Sequence, residues 1–211
     1  MKGRAPLTIA ISLGILAAVS LPIIAQQFKR YPTENELQQL MNRFRKFVVA
    51  PPEGSRGFYF RDPRNAAQSQ DLKAFVRAWL PVNPDIAPFI GEWTALEETT
   101  NIYPSTIKGK VCIIETFIPS KSDIGISFAV GAVSGKSIKT SNLTVLFQQG
   151  NYLGVAFINT NTDRPGIYEY AWPKPLTNPA ELMGSVPPAK RNQLLQQFKK
   201  AGCTVYLPKR Q

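Results

Sequence analysis

The chain contains no histidine, and this absence excludes a wide range of chemistry. Ser-His and Cys-His nucleophile pairs, histidine-ligated haem and the usual zinc hydrolase centres all need an imidazole. With two cysteines beside that absence, a transition-metal site is not expected, and neither a metal nor a cofactor is. After residue 25 no stretch is long and apolar enough to span a bilayer, and there is no internal repeat and no low-complexity tract.

The N-terminus supplies the first positive signal. Lys2 and Arg4 precede an uncharged stretch from Ala5 to Ala25 that carries Leu7, Ile9, Ile11, Leu13, Ile15, Leu16, Val19 and Leu21. That order, with Pro22 breaking the helix and Ile23 and Ala25 at −3 and −1 before Gln26, predicts an export signal over residues 1–25 cut between Ala25 and Gln26. An uncleaved anchor is the alternative, since the stretch is about as long as a membrane-spanning helix. Either way the rest of the chain is expected beyond the cytoplasm, in a periplasm, a lumen or the extracellular space.

Removing Lys2 and Arg4 with the signal leaves 23 basic against 14 acidic residues, so the net charge falls from +11 to +9. A basic exported surface favours an anionic membrane or an acidic protein as partner. Nucleic acid is not expected, because the Lys and Arg residues are scattered and form no long basic run. In an oxidising compartment Cys112 and Cys203 read either as a disulfide or as two buried thiols in apolar, strand-like runs.

Residues 26–90 read as a helical N-terminal segment. Thr33 with Glu36 three residues on forms a capping box, and Leu37, Leu40, Met41, Phe44, Phe47 and Val48 follow at helical spacing until Pro51-Pro52. This amphipathic helix, with Arg43, Arg45 and Lys46 on its outer face, could lie on a membrane but is expected to pack on its own domain. A second helix presents Leu72, Phe75, Val76, Trp79 and Leu80 on one face and ends at Pro81.

From residue 91 to 211 the pattern predicts an antiparallel β domain. Alternation marks strands near Glu92–Thr99, Lys110–Ile118, Gly125–Val133, Asn142–Gln148, Tyr152–Ile158 and Gly166–Trp172, with Gly150-Asn151 as a two-residue hairpin turn. Short links favour a meander over a parallel sheet. A helix through Leu194, Leu195 and Phe198 then gives way to a last strand over residues 203–207.

Three constellations bear on chemistry. Gly131 to Ser137 resembles a phosphate loop but has Val130 where the first glycine belongs, so a strand and a glycine turn explain it. Glycoside hydrolysis needs two carboxylates across a cleft. Glu97 and Glu98 are adjacent and face opposite sides of a strand; Glu115 and Glu169 are possible mates, but a solvated outer face is the expected home of all four. The aromatics Trp93, Phe147, Tyr152, Phe157, Tyr168, Tyr170 and Trp172 are the candidate ligand-binding residues, able to line an apolar pocket or simply to fill the core. Tyr168, Tyr170 and Trp172 share one face of a regular strand.

The run Ile86-Ala87-Pro88-Phe89-Ile90-Gly91-Glu92-Trp93, followed by a meander of strands, resembles the opening of lipocalin-like (calycin) barrels, and the preceding helices with the Asn83-Pro84 link resemble the plastid fibrillin branch. The resemblance implies that Gly91 and Trp93 close the bottom of a barrel that carries a lipid or another apolar molecule.

The expected architecture is therefore α+β: N-terminal helices, an antiparallel β-meander forming a barrel or half-barrel, and a C-terminal helix and strand. The expected function is non-catalytic binding of a lipid or apolar small molecule. The alternative is an accessory subunit that docks on a membrane-associated complex through its basic surface.

Overall fold

The computed structural model describes residues 29–50, 53, 59, 61–120 and 123–208 of the chain. The expected signal and the junction between Ala25 and Gln26 lie outside the described residues.

Eight antiparallel strands run in sequence order around a closed barrel: β1 (Gly91–Thr94), β2 (Glu98–Pro104), β3 (Lys110–Ser120), β4 (Asp123–Ser134), β5 (Ser137–Thr140), β6 (Val145–Gln149), β7 (Tyr152–Asn159) and β8 (Arg164–Lys174). β1 pairs with β8 to close the ring, which removes the exposed sheet edge that an open meander would leave. The α+β barrel is thus complete, with helices at both ends of the chain around it.

The stretch 92–99 is not one strand. The chain turns at 95–97, where the Ala95 amide donates to the Glu98 carbonyl at 2.8 Å, and β2 runs back along β1 with Trp93 opposite Thr100. The turn before β7 falls at Gly150-Asn151, with Gln149 opposite Tyr152 and Gly150 at φ +61°. Gly135 at φ +63° lies between the paired ends of β4 and β5, so the segment resembling a phosphate loop is a hairpin. The C-terminal residues contribute a single antiparallel bridge, Ser105 to Cys203, and barrel closure falls to β1 and β8 instead.

Three apolar clusters organise the packing. One contains a residue from every strand, including Trp93, Ile102, Ile113, Ala129, Ile138, Leu146, Leu153 and Tyr170. Only the barrel interior can bring all eight strands together. Trp79, Ile86, Phe89 and Ile90 belong to the same cluster, so α2 (Ala66–Trp79) and the 3-10 turn Ala87–Phe89 close one end of the barrel.

The second cluster lies outside. α1 (Glu34–Val49) lays Leu37, Leu40 and Phe44 on Val145, Phe147, Tyr152, Ala156, Ile167 and Ala171 of β6, β7 and β8, so its apolar stripe covers its own domain as the periodicity predicts. Thr33 caps it: its hydroxyl accepts from the Glu36 amide, and the Glu36 carboxylate accepts from the Thr33 amide at 2.8 Å. Arg30 reaches the same carboxylate through both terminal nitrogens, at 2.7 and 3.0 Å, and Asp163 in the β7–β8 turn at 3.1 Å. That fork ties the start of α1 to the barrel rim.

The third cluster covers the opposite wall. Tyr103, Cys112, Ile114 and Ile126 meet Met183, Val186, Leu194 and Phe198 from α3 (Pro179–Leu182), α4 (Pro188–Lys200) and their link. A disulfide joins Cys112 on β3 to Cys203, with Cα atoms 6.0 Å apart. It fixes the chain after α4 to the first part of β3 and fits an oxidising environment. No described helix is long and apolar enough to cross a membrane.

Candidate functional site

The two ends of the barrel differ. At the closed end Trp93 is fully buried and its indole N–H donates to the Phe89 carbonyl at 2.7 Å. Gly91 beside it has φ +143°, and a Cβ there would meet Pro173 at 3.0 Å and the Lys174 carbonyl at 3.2 Å. Both the backbone conformation and the close approach require glycine. Gly91-Glu92-Trp93 therefore builds the floor, and Trp93 serves as packing there.

The open end carries a pocket of about 310 Å³ lined by Glu98, Glu115, Thr116, Phe117, Thr144, Val155, Phe157, Tyr168 and Tyr170. Its floor is the upper surface of the packed interior, to which Val155 and Tyr170 also belong. The rings of Phe157 and Tyr168 stack with centroids 4.7 Å apart, and Tyr168 remains 47% exposed at the entrance.

Two carboxylates sit among these aromatics. In the β2–β3 register Glu98 lies opposite Phe117 and Thr100 opposite Glu115, so Glu98 and Glu115 are diagonal neighbours on one wall, a relation that spans about 7–8 Å in a sheet. The Tyr170 hydroxyl donates to Glu98 Oε2 at 2.9 Å, and the Ser127 hydroxyl donates to Glu115 Oε2 at 2.7 Å. Burial pushes the Glu115 carboxyl above its ordinary range; the Ser127 bond opposes this and the Glu98 charge adds to it. Burial likewise raises the Tyr170 and Tyr168 phenols, with the Glu98 and Glu115 charges adding. Both phenols are neutral donors at any physiological pH.

The expectation of a solvated outer face thus fails for Glu98 and Glu115. It holds for Glu97, which is exposed in the β1–β2 turn. Glu169 is partly buried on the outer face, its carboxyl raised by burial and lowered again by Arg43. The paired acids do not suit glycoside hydrolysis, because neighbouring strands present them from one side and a scissile bond must be flanked from two.

The structure divides the seven candidate aromatics. Phe157, Tyr168 and Tyr170 line the mouth, and Trp93 lies in the floor. Phe147, Tyr152 and Trp172 belong to the outer cluster beneath α1. Alternation from Tyr170 places Trp172 inside; a β-bulge reverses it. Between Glu92 and Thr94 of β1 the partners on β8 move from Lys174 to Ala171, one residue more than a regular ladder gives, and Trp172 takes φ +53°. Such a bulge re-aims a side chain: the Trp172 indole donates to the Tyr59 carbonyl at 2.8 Å and the Arg64 guanidinium lies 5.4 Å from its ring.

Residue-by-residue reading missed a further device. Phe117 faces Gly125, Phe147 faces Gly154 and Phe157 faces Gly166 directly across the strands. In each pair the ring lies over the glycine, within 2.5 Å of where a Cβ would stand. Two of these rings, Phe117 and Phe157, are mouth walls, so the glycines set how far the aromatic lining lies back against the sheet.

With this geometry the chain falls in the class of closed eight-stranded antiparallel barrels that have one filled end and one open end. Compared with family models, with curated proteins and with solved structures, the chain finds no match.

Proposed function

We propose that this protein is an exported, non-catalytic carrier that binds a small apolar molecule, or the end of a lipid chain, in the open mouth of its barrel. The observation that carries this reading is the mouth pocket, at the lower end of the size range of small-molecule sites, set in a barrel whose other end is packed shut. Four aromatic rings and Val155 supply the apolar wall, while the phenols and carboxylates supply the few polar groups that orient a ligand. The Gly-x-Trp floor and the eight-stranded closure support kinship with calycin barrels, and the disulfide supports a place outside the cytoplasm. The basic surface favours loading or release at an anionic membrane.

Native mass spectrometry of the protein purified without detergent from its own host tests this. A reproducible additional mass of a few hundred daltons is expected, lost in the Phe157→Ala/Tyr168→Ala variant while the disulfide and fold are retained. A bare polypeptide mass from every preparation overturns the proposal.

A second reading, docking as an accessory subunit, is favoured by one observation. Leu80, Val82, Ile107, Tyr206 and Leu207 are all exposed, on segments held together by the bonds from Trp79 to the Tyr206 carbonyl and from the Gly109 amide to Asn83. Exposed apolar residues gathered in this way suit a protein contact. If this reading is right, Leu80→Ser/Tyr206→Ser abolishes association with a membrane complex and leaves ligand content unchanged.

A further inference from the structure

We propose that the mouth selects a ligand carrying a protonated amine on an aromatic or apolar body. This rests on the binding reading above and names the chemistry of the ligand.

The mouth is an acidic site in a basic protein. Among the described residues its lining carries two carboxylates and no lysine or arginine, and neither Glu98 nor Glu115 is in a salt bridge. Each spends one oxygen on an internal hydrogen bond, to Tyr170 and Ser127. The other oxygen of each has no partner among the described residues. Two like charges held at diagonal positions in a partly buried pocket are poorly compensated, and a cation entering between them relieves both.

The walls decide which cation. A metal ion of the hard oxygen-seeking kind takes about six to eight ligands, whereas no described group of three or more acidic, cysteine or histidine side chains could hold one. The surrounding rings instead present π faces, which attract an ammonium and exclude its water. An anionic ligand meets two carboxylates and no described counter-charge in the lining. A neutral apolar ligand leaves both carboxylates desolvated and unpaired, which is costly.

Among the described residues, the basic groups of the adjoining pocket do not supply the missing charge. Lys29 and Arg30 line a separate depression that shares Phe157 with the mouth, and Arg30 is already engaged by Glu36 and Asp163. The positive charge of the remaining surface acts through solvent and is screened over about 8 Å at physiological ionic strength.

Glu115 makes the selectivity pH-dependent. Among the described residues the groups facing it are Glu98 on β2, Ser127 on β4, and Tyr168 and Tyr170 on β8, none of them cationic. Its carboxyl holds its proton to a higher pH than an exposed one, and a bound ammonium favours the ionised form. Amine affinity therefore rises with pH until Glu115 is ionised, and a proton is released where binding occurs below that point.

The experiment is a calorimetric titration of the full mature protein with three ligands of nearly one shape: tryptamine, neutral 3-ethylindole and indole-3-propionate. Tryptamine is expected to bind at least tenfold more tightly than 3-ethylindole at pH 7, and indole-3-propionate most weakly. Glu98→Gln and Glu115→Gln, each confirmed as folded by circular dichroism, are expected to remove most of that preference by weakening tryptamine. Between pH 4 and 7 tryptamine affinity should rise while that of 3-ethylindole stays level. Equal binding of tryptamine and 3-ethylindole overturns the amine inference and leaves the carrier reading standing. Failure of all three ligands, together with a bare native mass, overturns both.

Discussion

Gly154→Ala and Gly166→Ala add the same methyl group opposite the same kind of ring, yet the surroundings predict different outcomes. Neither glycine has a positive φ, so alanine fits both backbones, and the reduced freedom of the unfolded chain favours alanine by about 0.4–1 kcal/mol. The new Cβ at 154 would stand 2.5 Å from the Phe147 ring, and that ring is 4% exposed with Phe44 of α1 edge-on at 5.1 Å. The ring is held beneath α1, beside a depression of about 140 Å³ lined by Phe44 and Phe147, and overpacking of this kind costs about 1–3 kcal/mol. At 166 the contact with Phe157 is as short, 2.4 Å, but Phe157 is only partly buried and borders the open mouth, so it can swing aside. Urea unfolding should show Gly154→Ala less stable by about 2 kcal/mol, or about 4–8 °C in Tm for a chain of this size, with Gly166→Ala within about 0.5 kcal/mol of the parent. Phe147→Leu in the Gly154→Ala background should recover part of the loss, a coupling of about 1 kcal/mol between facing residues. Equal losses at the two sites, or a stabilised Gly154→Ala, would refute the assignment of Phe147 to the packed outer face and Phe157 to the mouth.

Replacing both Cys112 and Cys203 by alanine should cost about 4.5 kcal/mol in the chain-entropy model, since the bond closes a separation of 91 residues; an unchanged urea midpoint would show that the bridge adds nothing to the fold. Glu36 is held down to about 2 by Arg30 first and then by the Thr33 amide, so the stability it confers is present above its ordinary value of 4.5 and is lost as pH falls toward 2. Glu36→Gln should flatten the acid limb of the stability profile, measured as urea midpoints between pH 6 and 2. Glu115 has the opposite sign: its raised carboxyl is most compatible with the fold at low pH and disfavours it as pH rises through the folded value. Glu115→Gln should therefore be more stable than the parent at pH 7 and indistinguishable from it at pH 3; a loss at pH 7 would mean that the charge is compensated after all.

Much of the scaffold was legible because periodicity reports burial on one side. α1, its Thr33 cap, its apolar stripe and the Gly150-Asn151 hairpin all follow from local pattern. β2 did not, because it is covered on both faces: Ile102 points into the barrel while Tyr103 lies under α4, and five consecutive residues from Thr100 are buried. Without alternation, and with Asn101 and Pro104 inside it, β2 resembles a connection. That gap left the pairing of Glu98 with Glu115 as one possibility among several, since only the β2–β3 register fixes it. Trp172 was misplaced for a different reason, a single extra residue in β8 that no side-chain pattern announces. The phenylalanine-glycine pairs were present in the sequence at hairpin-compatible spacing, and a search for aromatic residues facing glycine across a turn would have marked Phe117 and Phe157 as neighbours of the mouth.

Whether the open end of the barrel holds a small molecule is decided by a crystal structure of the protein purified without detergent from its own host. Density for an apolar molecule is expected among Phe117, Phe157 and Tyr168, with its polar end against Glu98 and Glu115. A mouth filled only by ordered water, or closed by inward collapse of Phe157 and Tyr168, would contradict it.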